Sequence, residues 1–200
     1  ELEIYSQELK QKLRSIGVLT TPAEDITVAI LILETGISSS DKSFWDTIPM
    51  SEMALVQSFQ EAGIQAINRN SIRDLISEET AIKAAEGDIA SAVDVGYRSG
   101  TDVVIVGKAI SSKSQGEGGE IQASVTLKAI SASRGTLIAA RSEFASALED
   151  GAIGGEFSAF SQATSKISKF LIDSVQQFWT PKTEEPSAKR NLSTKNSVPN

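Results

Sequence analysis

Residues 102–109 read DVVIVGKA, whereas the two stretches that follow, IQASVTLKAIS and, past Arg134-Gly135, TLIAARSEFAS, alternate apolar with polar residues. Four consecutive β-branched residues closed by a glycine predict a strand buried on both faces. The alternating pair predicts a hairpin with one covered and one wetter face. A second strongly apolar run, ITVAILILET from Ile26, predicts another buried strand. The fold must therefore sandwich part of a sheet and leave part of it half open.

Helical periodicity fills in the rest. Leu2, Tyr5, Leu9, Leu13 and Ile16 recur every three or four residues and stop at Gly17, which predicts an amphipathic helix over 1–17. After a Ser- and Asp-rich loop, Ser51 is positioned to cap a helix carrying Met53, Leu55, Val56 and Phe59 to a stop at Gly63. IQAIN is a short strand. Two helical pieces follow, one marked by Ile72, Leu75 and Ile76, the other by Ile89, Ala92, Val93 and Tyr97. EDGAIGG reads as a loop before a long helix striped by Phe157, Phe160, Thr164, Ile167, Leu171, Ser174 or Val175, and Phe178. Beyond Trp179 the composition turns to Pro, Ser, Thr, Asn, Lys and Glu, so 181–200 reads as a disordered tail. The fold class is α/β. Parallel strands and a carboxy-terminal antiparallel meander form one mixed sheet, packed with helices in two or three layers over 18–180.

Composition narrows the chemistry. The 200 residues contain no cysteine and no histidine, which removes thiolate nucleophiles, sulfur metal sites and the usual neutral-pH base. Net charge is −7, and the tail is itself basic. An acidic body repels phosphate backbones, so nucleic acid is not an expected partner. No apolar run is long enough to span a bilayer as a helix. The chain begins at Glu1 rather than Met, which leaves room for an upstream leader or domain.

Few residues suggest a reaction. Ser39 and Lys42 form an S-x-x-K, the spacing of a Ser-Lys dyad, without the companion motifs SDN or KTG, and a solvated loop is the better reading. GAIGGEF lacks a following GK[ST], and Glu156 in the first helical turn opposes a phosphate while suiting the helix dipole. SEET reads as a helix start, and Glu78, Glu79 and Glu86 as a solvated face, so neither metal nor cofactor is expected. Partner binding has better candidates. Phe44 and Trp45, adjacent aromatics in a polar loop, either anchor a partner or fold back over the core. Gln122, Ser124, Thr126 and Lys128 share the wetter face of the hairpin.

Several residues carry a resemblance. They are Gly63 and Arg69 in AGIQAINRNSIRDLI, Gly100, Asp102 and Gly107 in SGTDVVIVGKA, and Gly135 in the turn SASRGT. In this pattern the chain, from about Ile26 to Trp179, resembles a periplasmic domain family. That family includes the curli-secretion lipoprotein CsgG, the amino-terminal domain of TolB and the middle domain of the flagellar assembly protein T. Ser131 and Arg134 stand where the family's turn has Asp and Thr. The glycines and the aspartate have a physical reading of their own. Gly100 ends a helix, Asp102 caps the turn into the strand, and Gly107 lets the strand pass close to a neighbour. The resemblance implies a non-enzymatic adaptor of a Gram-negative envelope, periplasmic and tethered, if at all, by a leader outside this chain. Such an adaptor would offer a sheet edge, loops and helix faces to other envelope proteins or to copies of itself, in a ring or another homo-oligomer. A subunit of an outer-membrane secretion pore is the alternative, and a Ser-Lys hydrolase a remote one.

Overall fold

A computed structural model describes residues 26–37, 43–46, 49–114, 119–148 and 152–179. The expected helix over 1–17, the Ser39–Lys42 pair and the tail 181–200 lie outside the described residues.

Five strands form one sheet in the order β2-β1-β3-β4-β5: β1 Thr27–Thr35, β2 Gln65–Ile67, β3 Val103–Lys113, β4 Glu120–Ser131 and β5 Leu137–Leu148. β1 pairs parallel with β2 and β3, while β3-β4-β5 is an antiparallel meander. The helices are α1 Met50–Glu61, α2 Arg69–Arg73, α3 Glu78–Glu86, α4 Ile89–Ser99 and α5 Ala152–Trp179. This is the mixed α/β sheet that the strand patterns predict.

The two faces differ because the helices are unevenly shared. On one face α1 and α5 bury Leu55, Phe59, Phe160, Ile167, Leu171 and Val175 against Val28, Ile30, Ile105, Val125 and Leu127. On the other, α2, α3 and α4 bury Ile72, Ala81, Ala84, Ala85, Ala92 and Val95 against Ala29, Leu31, Val104, Val106 and Ile130. Val104 and Ile105 are both fully buried and point to opposite layers. The sandwich therefore has three layers around β1 and the first half of β3. It has two under most of the β4–β5 hairpin, where α5 lines one face and α4 reaches only the Ile130 end of β4.

Several local expectations change. Ser51 does not cap α1. It sits inside the helix, and the free amides of Met50 and Ser51 bond the Glu34 carboxylate of β1 at 2.9 and 2.8 Å. A carboxylate from another element thus meets the positive helix end. Three helices, not two, lie between β2 and β3. The additional one, α3, buries only alanines, which a search for large apolar residues does not register. Tyr97 and Phe157, expected on buried stripes, are about half exposed. The stretch after residue 151 is no loop: α5 begins at Ala152 and carries Gly154 and Gly155 within it.

The residues that carry the resemblance have definite work. Gly100 closes α4 with φ 69°, a left-handed conformation that costs glycine little. A Cβ on Gly107 would lie 2.0 Å from the Thr126 carbonyl, so β3 and β4 approach closely only because that atom is missing. Asp102 accepts bonds from the Thr27 amide and hydroxyl, both at 3.0 Å, and so ties the start of β3 to the start of β1.

Candidate interaction surface

Where α3 and α4 end, one half of the sheet face is left without a covering helix among the described elements. Along β4 the burial alternates strictly from Ile121 to Leu127, with Gln122, Ser124 and Thr126 exposed. Cross-strand pairing sets Ile110, Ser124 and Phe144 in one row over β3, β4 and β5. The two apolar side chains are 54% and 67% exposed, on strands about 10 Å apart, with only a serine between them. In the neighbouring row, Thr126 and Ser142 hydroxyls bond at 2.8 Å. Leu148, 74% exposed, extends the apolar content toward the end of β5. The surface is a shallow, uncharged trough floored by small hydroxyl side chains and rimmed by two large apolar ones.

Its lower boundary is charged. Lys108 reaches Glu86 at 3.1 Å. Lys128 is half-buried, and its Nζ lies against Gly87, the left-handed residue that ends α3. A cation at a helix carboxyl end is favourably placed. Of the four residues expected on the wetter face, Gln122, Ser124 and Thr126 are therefore open, while Lys128 is engaged within the fold. Neither Ile110 nor Phe144 stands out in the sequence: Ile110 lies just past DVVIVGKA, the run expected to be buried on both faces, and Phe144 lies in the second strand of the hairpin, outside the residues assigned to its wetter face. Their register against Ser124 was the available signal.

A second polar cluster occupies the carboxyl ends of β1 and β3. Strand order reverses at β1, the position where open α/β sheets commonly bind ligands. Here the chain fills that position itself. Arg69, 1% exposed, pairs with Glu52 at 2.7 Å, donates to the Ile32 carbonyl at 2.8 Å and also bonds the Phe44 carbonyl. Its guanidinium lies 4.1 Å from the centre of the Phe44 ring. Glu52 also accepts from the Ile32 amide. Burial pushes the Glu52 carboxyl up, and the Arg69 bonds pull it partway back.

Phe44 and Trp45 belong to this cluster. Each is 7% exposed, and the rings meet edge to face at 5.2 Å. They take the second of their two expected courses, folding back over the core, so neither ring offers a partner a free face. Glu78 holds the turn in place by accepting from the Ser43 hydroxyl at 2.7 Å and the Phe44 amide at 2.6 Å. Those bonds keep its carboxyl below the usual range. Glu78 is thus more than a solvated charge. Glu156 likewise does more than complement a dipole: it is buried and accepts from the Ile37 amide at 2.6 Å and from the Ser111 hydroxyl. Among the described residues no three carboxylates gather as a metal-binding group.

No family model matches the chain, and no curated protein matches it. Solved structures do. The hypothetical protein CT253 from Chlamydia trachomatis is similar with a TM-score of 0.51 at 10% identity, over 76% of this chain and 98% of that one. The lipoprotein GNA1162 from Neisseria meningitidis is similar with a TM-score of 0.46 at 11% identity, over 74% and 99%. The PelC dodecamer from Paraburkholderia phytofirmans is similar with a TM-score of 0.42 at 12% identity, over 74% and 89%. At such identity the likeness is one of fold, and CT253 shares the architecture along nearly its whole length.

Proposed function

We propose that this chain is a non-enzymatic assembly module of the Gram-negative envelope that works in the periplasm by docking another protein on the open half of its sheet. One observation carries the reading. Ile110 and Phe144 are each more than half exposed and flank Ser124 on a face that no described helix covers. Apolar side chains grouped on a small-residue floor supply contact area with little charge to desolvate, which is what the centre of a protein interface needs. The polar residues that elsewhere serve catalysis are engaged in holding the strand ends together: Arg69 with Glu52, and Glu156 with Ile37. The envelope assignment rests on the resemblance, and the structural roles found for Asp102, Gly100 and Gly107 support it.

A photo-crosslinking side chain at Ser124 tests the docking. Introduced in cells, it is expected to give one dominant adduct with an envelope protein, whereas the same group at Gln57, exposed on α1, gives none. Identical adduct patterns from the two positions would remove the open face from the mechanism.

A further inference from the structure

β5 is an edge strand of 12 residues, Leu137–Leu148. Long edges are normally blunted by proline, by shortness or by inward charges. This one contains no proline, and its two charges, Arg141 and Glu143, neutralise each other at 2.6 Å. At the outer rim, Lys166 of α5 donates to the Phe144 carbonyl at 2.9 Å. That contact identifies which backbone groups point outward. In an antiparallel strand the N–H and C=O of one residue point to one side and alternate along the chain. With Phe144 outward, Ala140, Ser142 and Ser146 are outward too, beyond the irregularity opposite Ala129 and Ile130.

We propose that β5 pairs with β5 of a second copy, antiparallel, with Ser142 on the two-fold axis, so that Arg141 of each chain faces the partner's Glu143. Charge selects this register. A shift of two residues either way places Arg141 against Arg141 or Glu143 against Glu143. In the chosen register the outward residues hydrogen-bond to one another. Arg141 and the partner's Glu143 then form a non-hydrogen-bonded pair, in which side chains approach most closely. Phe144, 67% exposed, falls opposite the small Ala140 of the other copy. Phe170, 36% exposed and 5.1 Å from the Arg141 guanidinium, lies beside the same edge. On pairing, the Phe144 carbonyl exchanges Lys166 for the partner's Ala140 amide. The symmetry makes the contact self-complementary and closed. It uses the backbone edge of β5, shares Phe144 with the open face, and does not depend on the docking proposed above.

The chain lacks cysteine, so single cysteines report the register directly. Cysteines placed one at a time at 140 to 144 in the full chain, under mild oxidation, should give a disulfide dimer fastest for Ser142→Cys. A directly opposed hydrogen-bonded pair stands about 5.5 Å apart at Cα, within disulfide reach. A maximum at another position, or a rate for Ser142→Cys no greater than for Gln122→Cys on the open face, overturns the proposal. In sedimentation, Glu143→Arg should weaken the dimer about tenfold or more, and Arg141→Glu with Glu143→Arg should restore it. A chain that stays monomeric at about 100 μM also overturns it.

Discussion

Arg69 and Glu52 form a fully buried ion pair, 2.7 Å apart, at the carboxyl end of β1. Arg69 simultaneously satisfies the Ile32 and Phe44 carbonyls, so one side chain joins the strand, α1 and the Phe44 turn. Removing one member leaves a buried charge without its partner, which costs about 3–5 kcal/mol. Arg69→Ala is expected to lose stability of that order in urea unfolding. Arg69→Lys should recover only part of it, because the compact ammonium cannot reach the acceptors that the spread, planar guanidinium fork spans.

Acid should loosen the Phe44 turn before it unfolds the domain. The Glu78 carboxyl is held low by Ser43 and Phe44, so its contribution is present above the unfolded value and is lost as pH falls through the lowered folded value. Exposed Asp88, held low by Ser91, acts in the same direction. In a Trp179→Phe background, Trp45 fluorescence should change on acidification ahead of the far-UV signal. In Glu78→Gln that early step should vanish.

The two faces of β4 should respond oppositely to one added charge. Val125 is fully buried, and Val125→Asp places an unpaired carboxylate in the core, so no folded protein is expected at 25 °C. Thr126 is exposed, and Thr126→Asp should stay within about 0.5 kcal/mol by thermal melting. A loss of the Ser124 crosslink in folded Thr126→Asp would further support docking on that face.

One added methyl group should have opposite signs at two glycines. Gly107→Ala drives a Cβ into the Thr126 carbonyl and should destabilise by more than about 2 kcal/mol. Gly154, inside α5 with nothing within 4 Å of its would-be Cβ, should gain about 0.5–1 kcal/mol on substitution by alanine. Chemical denaturation of the two variants checks both.

The sheet was legible because its signal is local. Alternation in 121–127 states which face is covered, and the β-branched run at 103–106 states that both are. Only the start of α3 was legible, at SEET, where Ser77 caps the helix; its body was not, since Ala81, Ala84 and Ala85 keep helical spacing but are passed over when only large apolar residues are sought. The sequence points to the nearest hydroxyl as the cap on α1, because the true acceptor, Glu34, lies 16 residues before Met50 and on another element. Arg69 could be picked out by pattern, but its three acceptors are set by tertiary structure. Of the candidate surface, Gln122, Ser124 and Thr126 follow from strand parity alone. Lys128 shares that parity, yet the end of α3 claims it.

The position of β1 between β2 and β3 has a consequence for synthesis. Every strand it pairs with comes later in the chain, and the Thr27–Asp102 bond spans 75 residues. Val28 to Ile32 are all fully buried in the finished fold, so a nascent chain exposes an unmated apolar strand until β3 has been made. The β3-β4-β5 meander and α5, by contrast, are contiguous and can assemble with short loop closures. Carboxy-terminal residues such as Val125 should therefore govern the rate of folding, and β1 residues such as Ile30 chiefly the rate of unfolding. During synthesis, β1 is the first of the described strands to emerge and the last to find its place, and it is the segment most in need of a chaperone's cover.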